Sequence, residues 1–178
     1  RGDMVSIFTK YIPGMKIEDG NTVIVSKIRN PTQEISIKDM QYAKKVMSDY
    51  YGGKIPEGNG IKGIITGPNT IIHSSRIESF YKNKEDAILD LAHSLKCEVD
   101  AIVNKVDPVY IQIDEPFLST GMVDMKTAKE SIDIIQDGLE VPLGMHVCGI
   151  LSDAFKDLAK FNIDILDIWY YEFNRMEN

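Results

Sequence analysis

The sequence predicts an α/β fold, a (β/α)8 barrel of the TIM type of which the chain holds only part. Three observations lead there. Short, almost wholly apolar segments alternate with helical segments of roughly ten or more residues, the pattern of βαβ units around a parallel sheet. No G-x-G-x-x-G follows the first such strand, which sets aside the dinucleotide-binding doubly wound sheets. Carboxylates, an imidazole and a thiol stand at the C-terminal ends of successive strands, where a barrel gathers its chemistry.

Taken in order, residues 22–25 read as an extended segment and residues 37–51 as a helix, followed by a breaker-rich loop at 52–60 (GGKIPEGNG). Residues 61–66 (IKGIIT) form the first apolar strand, closed by Gly67-Pro68. Residues 84–106 carry Ile88, Leu91, Ala92, Leu95, Val99 and Ile102 at helical spacing, so a long amphipathic helix is expected there. Mid-helix Cys97 is expected to be a small buried apolar residue. The second strand, 109–114, ends in Asp114-Glu115-Pro116. A helix over 127–139 follows, with Ile132, Ile134 and Ile135 on its inner side. The third strand, 141–146, leads into His146-Val147-Cys148-Gly149. A helix is expected over 151–161, and residues 163–168 give the fourth strand.

No linker, repeat or low-complexity stretch divides the 178 residues, so they read as a single domain over 1–178. A whole (β/α)8 barrel takes about 250 residues, and only about four βα units can be counted. The chain therefore reads as an internal segment of a barrel, whose open strand edges call for flanking chain or a covering partner. A net charge of −7 offers no concentrated basic surface for phosphates, so nucleic acid is not the expected partner. No apolar run reaches membrane-spanning length, so no membrane partner is expected. Two cysteines make no disulfide framework, and the expected setting is the reducing cytoplasm.

His146-x-Cys148 is the most chemically pointed motif. Alternate residues of a strand face the same way, so imidazole and thiolate converge on one ion if the strand persists to Cys148. Both are favoured zinc donors, and a carboxylate such as Glu172 could supply a third. The plainer reading, a satisfied histidine beside a free cysteine, stays open on spacing alone. Asp114-Glu115 is open in the same way, either a helix cap or an acidic anchor for a substrate ammonium group.

Read together, Arg1-Gly2-Asp3-Met4-Val5, Lys62-Gly63-Ile64-Ile65-Thr66-Gly67-Pro68, Ile111-Gln112-Ile113-Asp114-Glu115-Pro116 and His146-Val147-Cys148 resemble the C-terminal catalytic barrel of the cobalamin-independent methionine synthase family, its short archaeal-type members above all. The resemblance implies zinc-dependent transfer of a methyl group to the thiol of homocysteine, giving methionine. It implies His146, Cys148 and Glu172 as zinc ligands, Asp114 as the anchor of the homocysteine amino group, and Thr66 and Gly67 as part of the substrate pocket. For the carboxylate ligand, an ungapped alignment offers Trp169; Tyr171-Glu172-Phe173 motivates a shift that gives Glu172.

The resemblance also shows departures. Ser74 and Thr120 stand where the long enzymes carry a stacking Trp and a Glu for the folate donor. A methylated corrinoid (methylcobalamin or a corrinoid protein) is therefore expected as donor in preference to methyltetrahydrofolate. No second Cys ligand and no His follow Cys148, so the chain is not expected to build the whole zinc site alone. Two further readings are a methylcobamide-dependent thiol methyltransferase of the uroporphyrinogen decarboxylase-like group, and a non-catalytic barrel remnant that binds zinc or a partner chain.

Overall fold

The structure, a computed structural model, describes residues 3–151 and 154–169. A short helix α1 (Ser6–Thr9) precedes a hairpin of β1 (Met15–Glu18) and β2 (Asn21–Ile24). Asp19 and Gly20 join the two strands, both with positive φ (49° and 79°), as a two-residue type I′ connection demands. Helix α2 (Ile37–Tyr50) follows, then β3 (Gly63–Thr66), α3 (Pro68–His73), β4 (Arg76–Ile77), α4 (Lys84–Val106) and β5 (Ile111–Asp114). A 3-10 turn at Pro116–Ser119 leads to α5 (Met125–Gln136), β6 (Leu143–Cys148), α6 (Phe155–Leu158) and β7 (Ile165–Trp169). Strands β1, β2 and β4 make a small sheet; β3, β5, β6 and β7 make the main one, in that order and all parallel.

The expected α/β architecture is present, with four parallel strands joined by three crossover connections. Ile65, Ile111, Ile113, Leu143, Met145 and Val147 share one hydrophobic cluster with the inner stripe of α4 and with Ile132 and Ile135 of α5. The α4 stripe, including Ile88, Leu91, Leu95, Val99 and Ile102, is fully buried. The helix begins where Asn83 Oδ1 accepts from the Asp86 N–H at 2.9 Å and stops where Asp107 turns left-handed. Cys97 is exposed rather than buried, because it lies between the inner positions 95 and 99 on the opposite side of the helix. The helix expected over 151–161 is also shorter: α6 is regular only over Phe155–Leu158. The N–H groups of Lys160 and Phe161 close back on Asp157 and Leu158, a tighter turn that ends it. Among the described residues, no helix is long and apolar enough to cross a membrane.

Two buried carboxylates fasten this framework. Glu98 of α4 accepts from the Ile35 N–H, the Ser36 N–H and the Ser36 hydroxyl, the last two at 2.8 and 2.7 Å, and so fixes the entry to α2. Glu115, with no exposed surface, follows β5 and reaches the first turn of α3. Its Oε1 accepts from Asn69 N–H and Asn69 Nδ2 at 3.0 and 2.8 Å; its Oε2 accepts from Thr70 N–H and Thr70 Oγ1 at 2.8 and 2.7 Å. The two backbone N–H groups are first-turn donors that lack partners within their own helix. Gly67 makes room for the clamp, since a Cβ there would lie 2.2 Å from the Glu115 carboxyl.

Three stability experiments test these contacts. In Glu115→Gln the amide nitrogen faces donors whichever way it turns, and we expect a loss of about 2–3 kcal/mol in urea denaturation. Gly67→Ala overpacks the same spot and is expected to cost about 1–3 kcal/mol. Wild-type midpoints in both would remove Glu115 from its clamping role. Asp124 caps α5, accepting from the Thr127 hydroxyl at 2.6 Å and the Thr127 N–H at 2.9 Å; these two bonds hold its carboxyl below its ordinary 3.8. A depressed carboxyl stabilises the fold above its unfolded pKa, and that contribution is lost as pH falls through the still lower folded value. Asp124→Ala should cost about 1 kcal/mol at neutral pH, and its gap to wild type should close in titrations carried below 3.8.

Candidate functional site

The ladder register sets out one row of side chains across the main sheet. Thr66 pairs with Asp114, Asp114 with His146, and His146 with Asp167. Residues paired in a parallel ladder stand on the same face, and these four share the face opposite the apolar one buried with the helices. Cys148 lies one rung further on, opposite Trp169 in the ladder. Strand β6 runs through Cys148, so the condition for His146 and Cys148 to share a face is met. The chemistry expected at the C-terminal strand ends is therefore gathered on one surface.

Asp114 is half-buried and tethered by a relay that runs through Gln112 of its own strand to Lys62 just before β3. Gln112 Nε2 donates to Asp114 Oδ1 at 2.7 Å, and Lys62 Nζ donates to Gln112 Oε1 at 2.7 Å. Among the described residues nothing is hydrogen-bonded to the other Asp114 oxygen, which keeps an acceptor for a cationic group. Asp114, Thr66 and Lys62 border a cavity of about 390 Å³ whose other walls include Met4, Phe8, Met40 and Ile64. The cavity is thus apolar with few polar groups, the usual character of a small-molecule site. His146 and Cys148 are not among its lining residues.

Thr66 is buried, and its hydroxyl donates to the Met4 carbonyl at 2.7 Å. It ties the N-terminal segment over the cavity, with its lone pairs still able to accept. The Gly67 N–H continues the ladder to the Asp114 carbonyl at 2.9 Å. That N–H is engaged, so Gly67 acts here through its lack of a side chain beside Glu115. His73 bonds the Asn69 carbonyl through Nδ1 at 2.9 Å and stacks on Phe117, and His93 is exposed on α4.

His146 is 28% exposed at its side chain, and its Nδ1 lies 3.0 Å from Asp167 Oδ2. An ionised carboxylate only accepts, so in the neutral form of the ring Nδ1 carries the hydrogen and Nε2 keeps its lone pair for another group. Cys148 is a free, half-buried thiol. The zinc that the resemblance implies fits these two: an imidazole with its distal nitrogen open and a thiol two residues on, donors of the kinds zinc selects. Among the described residues no cluster of three or more His, Cys, Asp and Glu side chains is arranged to hold an ion. Glu172, expected as the carboxylate ligand, lies outside the described residues. Asp167, Gln112 and Lys62 are not among the residues expected from sequence. The signal for Gln112 is the two-residue strand period, which puts it on the face of Asp114; Asp167 is brought to the site only by its pairing with His146 across β6 and β7.

Comparisons with known proteins bear directly on this sheet. Residues 1–176 match the family described as the cobalamin-independent synthase catalytic domain. The methionine synthase of Methanothermobacter thermautotrophicus is 46% identical over 170 residues, which make up 94% of this chain and 54% of that protein. The methionine synthase of Methanocaldococcus jannaschii is 46% identical over 171 residues, 94% of this chain and 51% of that protein. The chain thus spans about half the length of these relatives. The B12-independent methionine synthase from Shewanella sp. W3-18-1, solved in complex with selenomethionine, superposes with a TM-score of 0.70 at 20% identity. It covers 92% of this chain, which spans 53% of it, and shows the shared fold alone. With the match running over residues 1–176, the chain belongs to the cobalamin-independent synthase catalytic-domain family.

Proposed function

We propose that this chain forms part of the catalytic barrel of a methyltransferase that methylates the thiol of homocysteine to give methionine. The observation that carries the reading is the register row Thr66–Asp114–His146–Asp167 with Cys148 one rung on. An ammonium anchor and two soft-metal donors on adjacent strands suit a small amino acid with a sulfur nucleophile. The relatives named methionine synthase support the same reading, as does the family to which the chain belongs.

In this reading Asp114 binds the homocysteine ammonium group, held in place by Gln112 and Lys62, and the apolar cavity wall takes the methylene chain. Thr66 and Gly67 shape the pocket floor between them. His146 Nε2 and Cys148 Sγ hold zinc, with Glu172 as the carboxylate ligand and the remaining donor from outside the described residues. Zinc, when bound, keeps a substrate thiol as thiolate near neutral pH. The transfer forms the S–CH3 bond as the bond from the methyl carbon to its donor breaks, the electron pair leaving with the donor.

The donor needs a correction of expectation. A corrinoid finds no support, because the family is described as cobalamin-independent, and that description points to methyltetrahydrofolate. Ser74 and Thr120, both exposed, offer neither an aromatic stack nor a carboxylate, so a folate must be held through other contacts.

The test uses the natural full-length protein, assayed for bound zinc and for methionine formation from each donor. We expect zinc and turnover; absence of both with either donor defeats the proposal, and turnover only from methylcobalamin reverses the donor assignment. Cys148→Ser and His146→Ala should weaken zinc binding by more than the roughly 10–100-fold typical of losing an outer-shell partner. Asp114→Asn should keep its zinc and raise KM for homocysteine about 10–100-fold, matching loss of one charge-assisted hydrogen bond. An unchanged KM would remove Asp114 from the anchor role.

A further inference from the structure

We infer that Asp167 is the positioning residue of His146, fixing its tautomer and ring orientation so that Nε2 is presented to the metal; the inference rests on the zinc reading above. Asp167 Oδ2 lies 3.0 Å from His146 Nδ1, and the two residues are direct partners in the parallel β6–β7 ladder. The contact is therefore set by backbone register between two strands rather than by a flexible loop. An unconstrained imidazole favours its hydrogen on Nε2, the nitrogen that must be bare to bind a metal. A carboxylate at Nδ1 reverses that preference and raises the basicity of the far nitrogen.

Two alternatives fare worse. As a stabilising contact the pair contributes little, since the side chains are 28% and 54% exposed. As a metal ligand in its own right Asp167 is misplaced, because its carboxylate sits against Nδ1, on the side of the ring away from Nε2. An ion bound at Nε2 is out of its reach in this arrangement.

The experiment compares wild type, Asp167→Ala, Asp167→Asn and His146→Ala in the natural full-length protein. Zinc affinity is read by competition with a chromophoric chelator, and the tautomer of His146 by 15N NMR of the metal-free protein. Asp167→Ala should bind zinc about 10–100-fold more weakly at unchanged stoichiometry and melting temperature, and His146 should move toward the Nε2–H tautomer. Asp167→Asn, whose amide oxygen still accepts from Nδ1–H, should recover most of both. If His146→Ala loses zinc while Asp167→Ala keeps wild-type affinity and tautomer, the inference falls and the zinc site stands. If wild type takes up no zinc yet the tautomer responds to Asp167→Ala, the zinc reading falls and the orienting contact stands.

Discussion

Once helices pack on one face of a parallel sheet, the two-residue period of a strand fixes what the other face must carry. Here the apolar positions 65, 111, 113, 143, 145 and 147 are buried in the core shared with α4 and α5. Their neighbours in sequence are thereby sent to the opposite face, and the ladder lines them up in rows. The row holding Thr66, Asp114, His146 and Asp167 is a consequence of core packing rather than a separate arrangement. A slip of one residue in any strand would carry its member of the row into the apolar layer. Core packing thus also holds the site together.

The row still needs a fixed edge, and Glu115 provides it. Burying a carboxylate costs several kcal/mol unless its lone pairs are satisfied, and burial does push this carboxyl upward against the pull of Asn69 and Thr70. Among the described residues four donors and no cation meet it, two of them the backbone N–H groups that the start of α3 leaves open. The same contact joins the segment after Thr66 to the segment after Asp114 and so ties the two neighbouring strand ends together. Neutral donors hold the edge without altering the charge of the row.

Much of this is legible in the sequence, and what is not has physical causes. The long helix is found at Lys84–Val106 as its 3.6-residue period predicts, because its stripe is unbroken and both ends carry local signals. The β1–β2 hairpin is not among the expected elements, although Asp19-Gly20 between Ile17-Glu18 and Thr22-Val23 is a strong short-range turn signal. Residue type misplaces Cys97, where its angular position on the helix decides. Asp167 escapes for a related reason: attention to the last residues of each strand favours what stands at the end, whereas register favours what stands opposite. No period in the sequence announces that Ile165–Trp169 aligns Asp167 with His146; only strand pairing does.

Exposure then decides how strong these groups are. Among the described residues β3 and β7 are the edges of the main sheet, and Ile64 and Ile165, on the same face as the polar row, are 40% and 41% exposed. A His–Asp pair open to water on such a face is screened to a fraction of its enclosed strength. The same holds for an ammonium ion against Asp114. In the relatives this stretch accounts for about half of the protein, and a closed barrel would turn the exposed row into an interior one. Enclosure would strengthen the anchor, the imidazole–carboxylate pair and any metal bond together, since all three lie on one face within two rungs. The geometry is local to four strands, while the energy that makes it useful depends on what surrounds them.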